Sequence, residues 1–89
     1  MKPTIGRIVH YTLNAADATA INTGIASVAV PKNRAREGDV FPALVVCVWD
    51  GGASVQLQVF YDGAGSYWAT SRTEGDGPGH WAWPAQVSA

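Results

Sequence analysis

Nine consecutive residues, Phe41-Pro42-Ala43-Leu44-Val45-Val46-Cys47-Val48-Trp49, carry no charged or amide side chain at any position. A β-strand sends alternate residues to opposite faces, so a run that is apolar in both sets predicts a central strand with both sides covered. The residues after it read as strands and turns packed around it. Those before it read as one partnering strand, a short helix and a charged loop.

A chain of 89 residues is near the size at which a single core barely offsets the conformational entropy of folding. One β-rich domain is expected over residues 1–84, with residues 85–89 as a frayed tail. Apolar residues make up 47% of the chain and charged residues only 15%, which favours burying apolar surface against another copy, so a homo-oligomer is the expected state. Six Lys and Arg against seven Asp and Glu give a formal charge of −1, which disfavours nucleic acid and anionic membrane as partners. Cys47 has no second cysteine to pair with and falls inside the most apolar strand, so it is expected to act as a small hydrophobe in a reducing compartment. No apolar run approaches the roughly 18 residues needed to span a bilayer, and Lys2 and Arg7 precede no continuous apolar segment. A soluble, cytoplasmic protein with no targeting signal is the expectation.

Ile5 to Leu13 is rich in β-branched and aromatic residues and predicts the first strand, with Val9, Tyr11 and Leu13 on a core face beside Ile5 and Arg7. His10 falls on the mixed face, where a lone histidine is more often structural than ligand-binding. Asn14 is placed to cap a helix over Ala15 to Asn22, with Asp17 at the third helical position and Gly24 as the stop. Ile25 to Val30 suggests a short edge strand ended by Pro31. Lys32 to Asp39 holds three cations within five positions, and reads either as a solvated loop or as a phosphate clamp built on Arg34 and Arg36.

Beyond the central strand, Asp50-Gly51-Gly52 supplies a turn, and Val55, Leu57, Val59 and Tyr61 alternate with Gln56, Gln58 and Phe60 in a third strand. Asp62 to Gly65 turns again into a fourth strand over Ser66 to Arg72, completing a three-stranded meander. Trp81 and Trp83 are two apart, so an extended segment projects both to one side. They either close one end of a small barrel or form the wall of a site in which an indole stacks on a planar base.

Catalytic and metal signatures are absent from the sequence. Gly75-Asp76-Gly77-Pro78-Gly79 lacks the Lys-Ser/Thr pair of a phosphate loop, and Pro78 removes a backbone donor. His10, His80 and Cys47 lack metal-ligand spacing. Asp50 and Asp62 each precede glycine, a pairing that turns alone demand.

The opening Met1-Lys2-Pro3-Thr4-Ile5-Gly6-Arg7-Ile8-Val9-His10-Tyr11-Thr12-Leu13, the middle Gly38-Asp39-Val40-Phe41-Pro42-Ala43 and the ending Gly77-Pro78-Gly79-His80-Trp81-Ala82-Trp83-Pro84 resemble a family of small phage and prophage proteins. The segment between the helix and Gly38 departs from that pattern. The resemblance implies a phage product made in a bacterial cytoplasm, and compact phage proteins of this size include counter-defence sponges that hold nucleotide immune signals between subunits without cleaving them.

These observations predict a mainly β fold, a small antiparallel SH3-like or partly open barrel with one short helix. The leading functional expectation is a non-enzymatic protein, without cofactor or metal, that sequesters a nucleotide-derived ligand. Arg7, Arg34, Arg36 and Arg72 are the candidate phosphate contacts, and Tyr11, Trp68, Trp81 and Trp83 the candidate stacking surfaces. The alternative is a structural or protein-interaction module, a virion accessory or a binder of a host protein, that uses an apolar rim.

Overall fold

The computed structural model describes residues 2–23 and 31–85. Its elements are β1 (Ile8–Thr12), α1 (Ala15–Thr23), β2 (Val40–Trp49), β3 (Ser54–Val59), β4 (Tyr67–Glu74) and β5 (His80–Ala82). The five strands close into a barrel in the order β1-β2-β3-β4-β5. The fold is therefore mainly β with one short helix, and it is closed rather than partly open. The edge strand suggested over residues 25–30, the Gly24 stop and the tail at residues 86–89 lie outside the described residues.

The meander β2-β3-β4 is antiparallel throughout, and β1 pairs antiparallel with β2 from Ile8↔Leu44 to Thr12↔Val40. Closure rests on two short ladders. β5 meets β1 antiparallel through His10↔Ala82 and Tyr11↔Trp81, and meets β4 parallel through Thr73↔His80 and Glu74↔Trp81. The segment carrying Trp81 is thus the strand that joins the two ends of the sheet.

Strand β1 starts at Ile8, later than Ile5, because Gly6 adopts φ 93° in a turn that leaves Ile5 outside the sheet. Val9, Tyr11 and Leu13 are nevertheless fully buried, as their shared parity predicts. In β3 the alternation also holds: Val55, Leu57 and Val59 are buried, Gln56 and Gln58 are half-buried, and Phe60 just beyond the strand is exposed.

Strand β2 is central in its pairing but not in its burial. Ala43 and Val45 point into the core, whereas Val40, Pro42, Val46 and Trp49 are exposed and Leu44 is half-buried. No layer among the described residues covers that outer face, which overturns the expectation of two covered sides. Pro42 is tolerated because its nitrogen faces β3 just past the last β2-β3 pair, Ala43↔Val59, and its carbonyl accepts the Phe60 N–H at 2.9 Å.

The basic loop follows the barrel at two places. Leu13 and Gly38 exchange backbone bonds with Asp39 and Leu13, each at 2.9 Å, and Lys32 forms an isolated bridge with Gly63. A Cβ added at Gly63 would lie 2.8 Å from Lys32 Cα and 2.9 Å from the Pro31 carbonyl oxygen, both backbone atoms that cannot swing aside. We predict that Gly63→Ala lowers stability by about 1–3 kcal/mol, read as a shifted urea midpoint; an unchanged midpoint would mean that the loop does not press on this turn.

Candidate functional site

Asp17 is the one fully buried charged side chain among the described residues, and its position begins with helix capping. The Asn14 side-chain oxygen accepts the Asp17 N–H at 2.7 Å, while an Asp17 carboxylate oxygen accepts the Asn14 N–H at 3.0 Å. This reciprocal pair satisfies donors that the first turn of α1 leaves without partners. Ala18 and Ile21 seat the same helix face in the core, which carries the Asp17 carboxylate inward with them.

Three barrel side chains meet that carboxylate. The Tyr11 hydroxyl donates to Oδ2, the Tyr67 hydroxyl donates to Oδ1 at 2.8 Å, and Arg72 Nη2 donates to Oδ1 at 2.8 Å. Arg72 also donates through Nε to the Tyr11 hydroxyl at 2.7 Å and through Nη1 to the Thr70 carbonyl at 2.7 Å, and its guanidinium carbon lies 5.7 Å from the Tyr11 ring centroid. Counting the Asn14 N–H, Asp17 accepts from four donors, which fills the lone-pair positions a carboxylate offers.

Arg72 reaches this interior through a backbone irregularity. Strict alternation from Ala69, which is buried, would send Ser71 inward and Arg72 outward with Trp68. The β3-β4 register instead slips between Val55↔Arg72 and Leu57↔Ala69, and Ser71 adopts φ 55°. That β-bulge absorbs one residue and turns Arg72 into the barrel. The Ser71 N–H is taken by the Gln56 side-chain oxygen, so the extra residue leaves no orphan donor.

The electrostatics follow from the geometry. Burial pushes the Asp17 carboxyl up, but the hydrogen bonds from Tyr11, the Asn14 N–H, Tyr67 and Arg72 outweigh it and hold Asp17 below its ordinary 3.8. Burial and the neighbouring carboxylate raise both the Tyr11 and Tyr67 hydroxyls above 10.0. Burial works against the Arg72 charge, and its bonds to Tyr11 and Asp17 more than restore it.

The sequence-derived site residues divide into two groups. Tyr11, Arg72, Trp81 and Trp83 are brought together inside: Tyr11 and Trp81 are cross-strand partners, and Trp81 packs edge to face on Trp83 at 5.5 Å between centroids. Trp81 is buried in the core, and Trp83 packs against it half-buried. The indole N–H groups of both are buried without a hydrogen-bond partner among the described residues. Arg7, Arg34, Arg36 and Trp68 are exposed and do not join this group. Arg7 lies in the turn before β1, Arg34 and Arg36 lie in the loop before β2, and Trp68 stands on the outside of β4. Sequence reasoning took Asp17 only as a cap and did not single out Tyr67. An acidic residue at the third helical position satisfies capping whether or not it also points at a barrel, so no local signal separates the two roles.

The outer face of β1 to β4 forms a second assembly. Pairing aligns Ile8, Leu44, Gln58 and Trp68 in one row across the four strands, with His10 and Pro42 in the next row and Thr12 and Val40 beyond. Phe60 continues the outward set of β3. None of these residues is Lys, Arg, Asp or Glu. Trp68 is 56% exposed and Ile8 49%. Gln58, the amide in the row, donates one of its two amide N–H groups to the Ser66 hydroxyl at 2.7 Å.

Comparison with protein-family models, with curated proteins and with solved structures yields no match to this chain. Among the described residues no three of His, Cys, Asp and Glu are grouped as metal ligands, and no helix is long and apolar enough to cross a membrane.

Removing one partner of the Asp17 network leaves the others buried and unpaired. We predict that Asp17→Ala costs about 3–5 kcal/mol in urea unfolding; a loss below 1 kcal/mol would show that the network does not hold the barrel. The pH dependence has two arms. Because the folded Asp17 value is depressed, its contribution is present above about pH 4 and declines as pH falls through the folded value. Because the Tyr11 and Tyr67 values are raised, their contribution is complete below about pH 10 and declines above it. Stability measured from pH 2 to 11 should fall at both ends, and Asp17→Ala should flatten the acid arm.

Proposed function

We propose that this chain is a non-enzymatic protein-interaction module that works through the outer face of β1 to β4. The observation that carries the reading is that none of the outward residues named above, among the described residues, is Lys, Arg, Asp or Glu, in a chain with thirteen such residues. Charged residues are depleted and aromatic residues enriched at the centres of protein contact surfaces. Trp68 and Phe60 supply the aromatic area, and Ile8, Leu44 and Val46 the aliphatic area. The interior supports the same reading, since the buried carboxylate has its acceptor positions filled and serves the barrel. The resemblance of the terminal blocks to small phage proteins supports a virion-accessory or host-protein-binding setting in a bacterial cell.

A second reading keeps the nucleotide-derived ligand. Its support is Trp68, an indole more than half exposed and available to stack on a base, together with the exposed Arg7, Arg34 and Arg36 as phosphate contacts. Tyr11, Arg72 and Trp81 are engaged within the barrel, so this reading draws on the exposed residues at a junction between copies.

The test is hydroxyl-radical footprinting of the protein inside the producing bacterial cell and in dilute purified form. Lower labelling of Trp68, Phe60 and Leu44 in the cell, with Ile5, which is 71% exposed and lies outside the sheet, labelled equally in both, is the expected result. Equal labelling of Trp68 in both settings would remove the outer face as a contact surface.

A further inference from the structure

We propose that β5 is a strap that opens as a unit from a barrel that stays folded, carrying Trp81 and Trp83 outward while the Asp17 network holds β1 and β4 in place. The strand is thinly bonded on both sides. It meets β1 through His10↔Ala82 and Tyr11↔Trp81, and it meets β4 through Thr73↔His80 and Glu74↔Trp81 in a parallel ladder, the weaker pairing per residue. By contrast, β2 and β3 pair from Ala43↔Val59 to Trp49↔Ser54. Residues 83–85 add no strand pair beyond Ala82 among the described residues. Ahead of the strand, Gly75-Asp76-Gly77-Pro78-Gly79 supplies a hinge. Gly77 and Gly79 stand at φ 89° and 86°, and glycine moves between the left- and right-handed regions at little steric cost.

The closed position also carries a penalty at its centre. The indole N–H groups of Trp81 and Trp83 are buried without a hydrogen-bond partner among the described residues, and a buried donor left unpaired opposes the packing that buries it. Water satisfies both donors once the strand lifts. What holds β5 shut is then chiefly the apolar burial of the two indoles, with Trp81 1% exposed and Trp83 packed edge to face on it at 5.5 Å. The clasp at Asp17 does not depend on β5, because its four donors come from Tyr11, Asn14, Tyr67 and Arg72. With β5 lifted, β1 keeps β2 as a neighbour and β4 keeps β3, so the rest of the sheet remains paired. The open state presents two indoles and uncovers the facing edges of β1 and β4.

The experiment is native-state hydrogen exchange by NMR over a series of urea concentrations below the unfolding transition, read at backbone amides and at the indole N–H groups. The Gly75 N–H donates to the Trp81 carbonyl at 3.0 Å and the Gly79 N–H to the Thr12 carbonyl at 2.8 Å, so both report on the seam. The Val45 N–H, which donates to the Arg7 carbonyl at 2.9 Å, reports on the barrel, and the Asn14 N–H on the Asp17 carboxylate reports on the clasp. Gly75, Gly79 and the indole N–H groups of Trp81 and Trp83 should exchange with one opening equilibrium. Relative to intrinsic rates, they should exchange at least about tenfold faster than Val45 and Asn14, with a shallower dependence on urea. Thr73→Cys combined with His80→Cys places a disulfide where the two side chains already stand 3.2 Å apart across the β4-β5 ladder. Oxidation of that variant should slow the four groups together, and reduction should release them. Indole N–H groups that exchange only with Val45, at the rate of global unfolding, overturn the proposal, as does an oxidised variant that exchanges like the reduced one. Exchange of Gly75 and Gly79 ahead of the indoles would mean that the loop frays while β5 stays shut, and exchange of Asn14 with the seam would mean that the clasp opens too; either result overturns it as well.

Discussion

The carboxylate of Asp17 sits where the barrel has the least backbone to hold it. β5 joins β4 through two residue pairs and β1 through two more, so the ladder hydrogen bonds that secure the meander are scarce at this seam. Asp17 reaches it from α1 and binds Tyr11 on β1 together with Tyr67 and Arg72 on β4. One side chain thereby ties the helix to the strands on either side of the short closing strand. A buried carboxylate is costly unless it is paired and hydrogen-bonded, and this one has both an ion pair and three further donors. The arrangement is demanding in the sense that each member needs the rest: Tyr11 and Arg72 are bonded to one another as well as to Asp17, so the loss of any one leaves polar atoms stranded.

The same economy separates the two tryptophan environments. Trp81 enters the core because β5 closes the barrel, and Trp83 follows it as the edge-to-face partner. Trp68 belongs to the outward set of β4 and stands in the row with Ile8, Leu44 and Gln58. Indoles that look alike in the sequence thus serve opposite purposes, one covering the interior and the other enlarging an uncharged surface. For a chain of 89 residues, exposing that apolar area among the described residues is a physical cost.

Much of the fold could be read from local pattern. The period-two alternation of Val55, Leu57 and Val59 sets their burial without reference to the rest of the chain, and the glycine-rich turn at Asp50 to Gly52 follows from backbone freedom at its positive φ angles. Asn14 and Asp17 carry the capping box in their spacing alone. The site was less accessible. Arg72 reads as an outward residue by parity and as a phosphate contact by chemistry, and the bulge at Ser71 reverses its direction. Nothing in the residue types of Thr70 and Ser71 marks that slip, because it is set by the pairing with β3.

The sequence by itself determined the elements that depend on near neighbours: the strands β1 to β4, the turns, the helix start and the parity of most core residues. These rest on steric and hydrogen-bonding preferences within a few residues. The tertiary structure decided what depends on distant partners. It alone brings Asp17 to within 2.8 Å of Arg72, fifty-five positions away, and leaves the outer face of β2 uncovered by any of the described residues although its composition predicts a cover. The physical reason is that a periodic pattern states which side chains share a face, whereas only the closed barrel states which faces meet one another and which meet solvent.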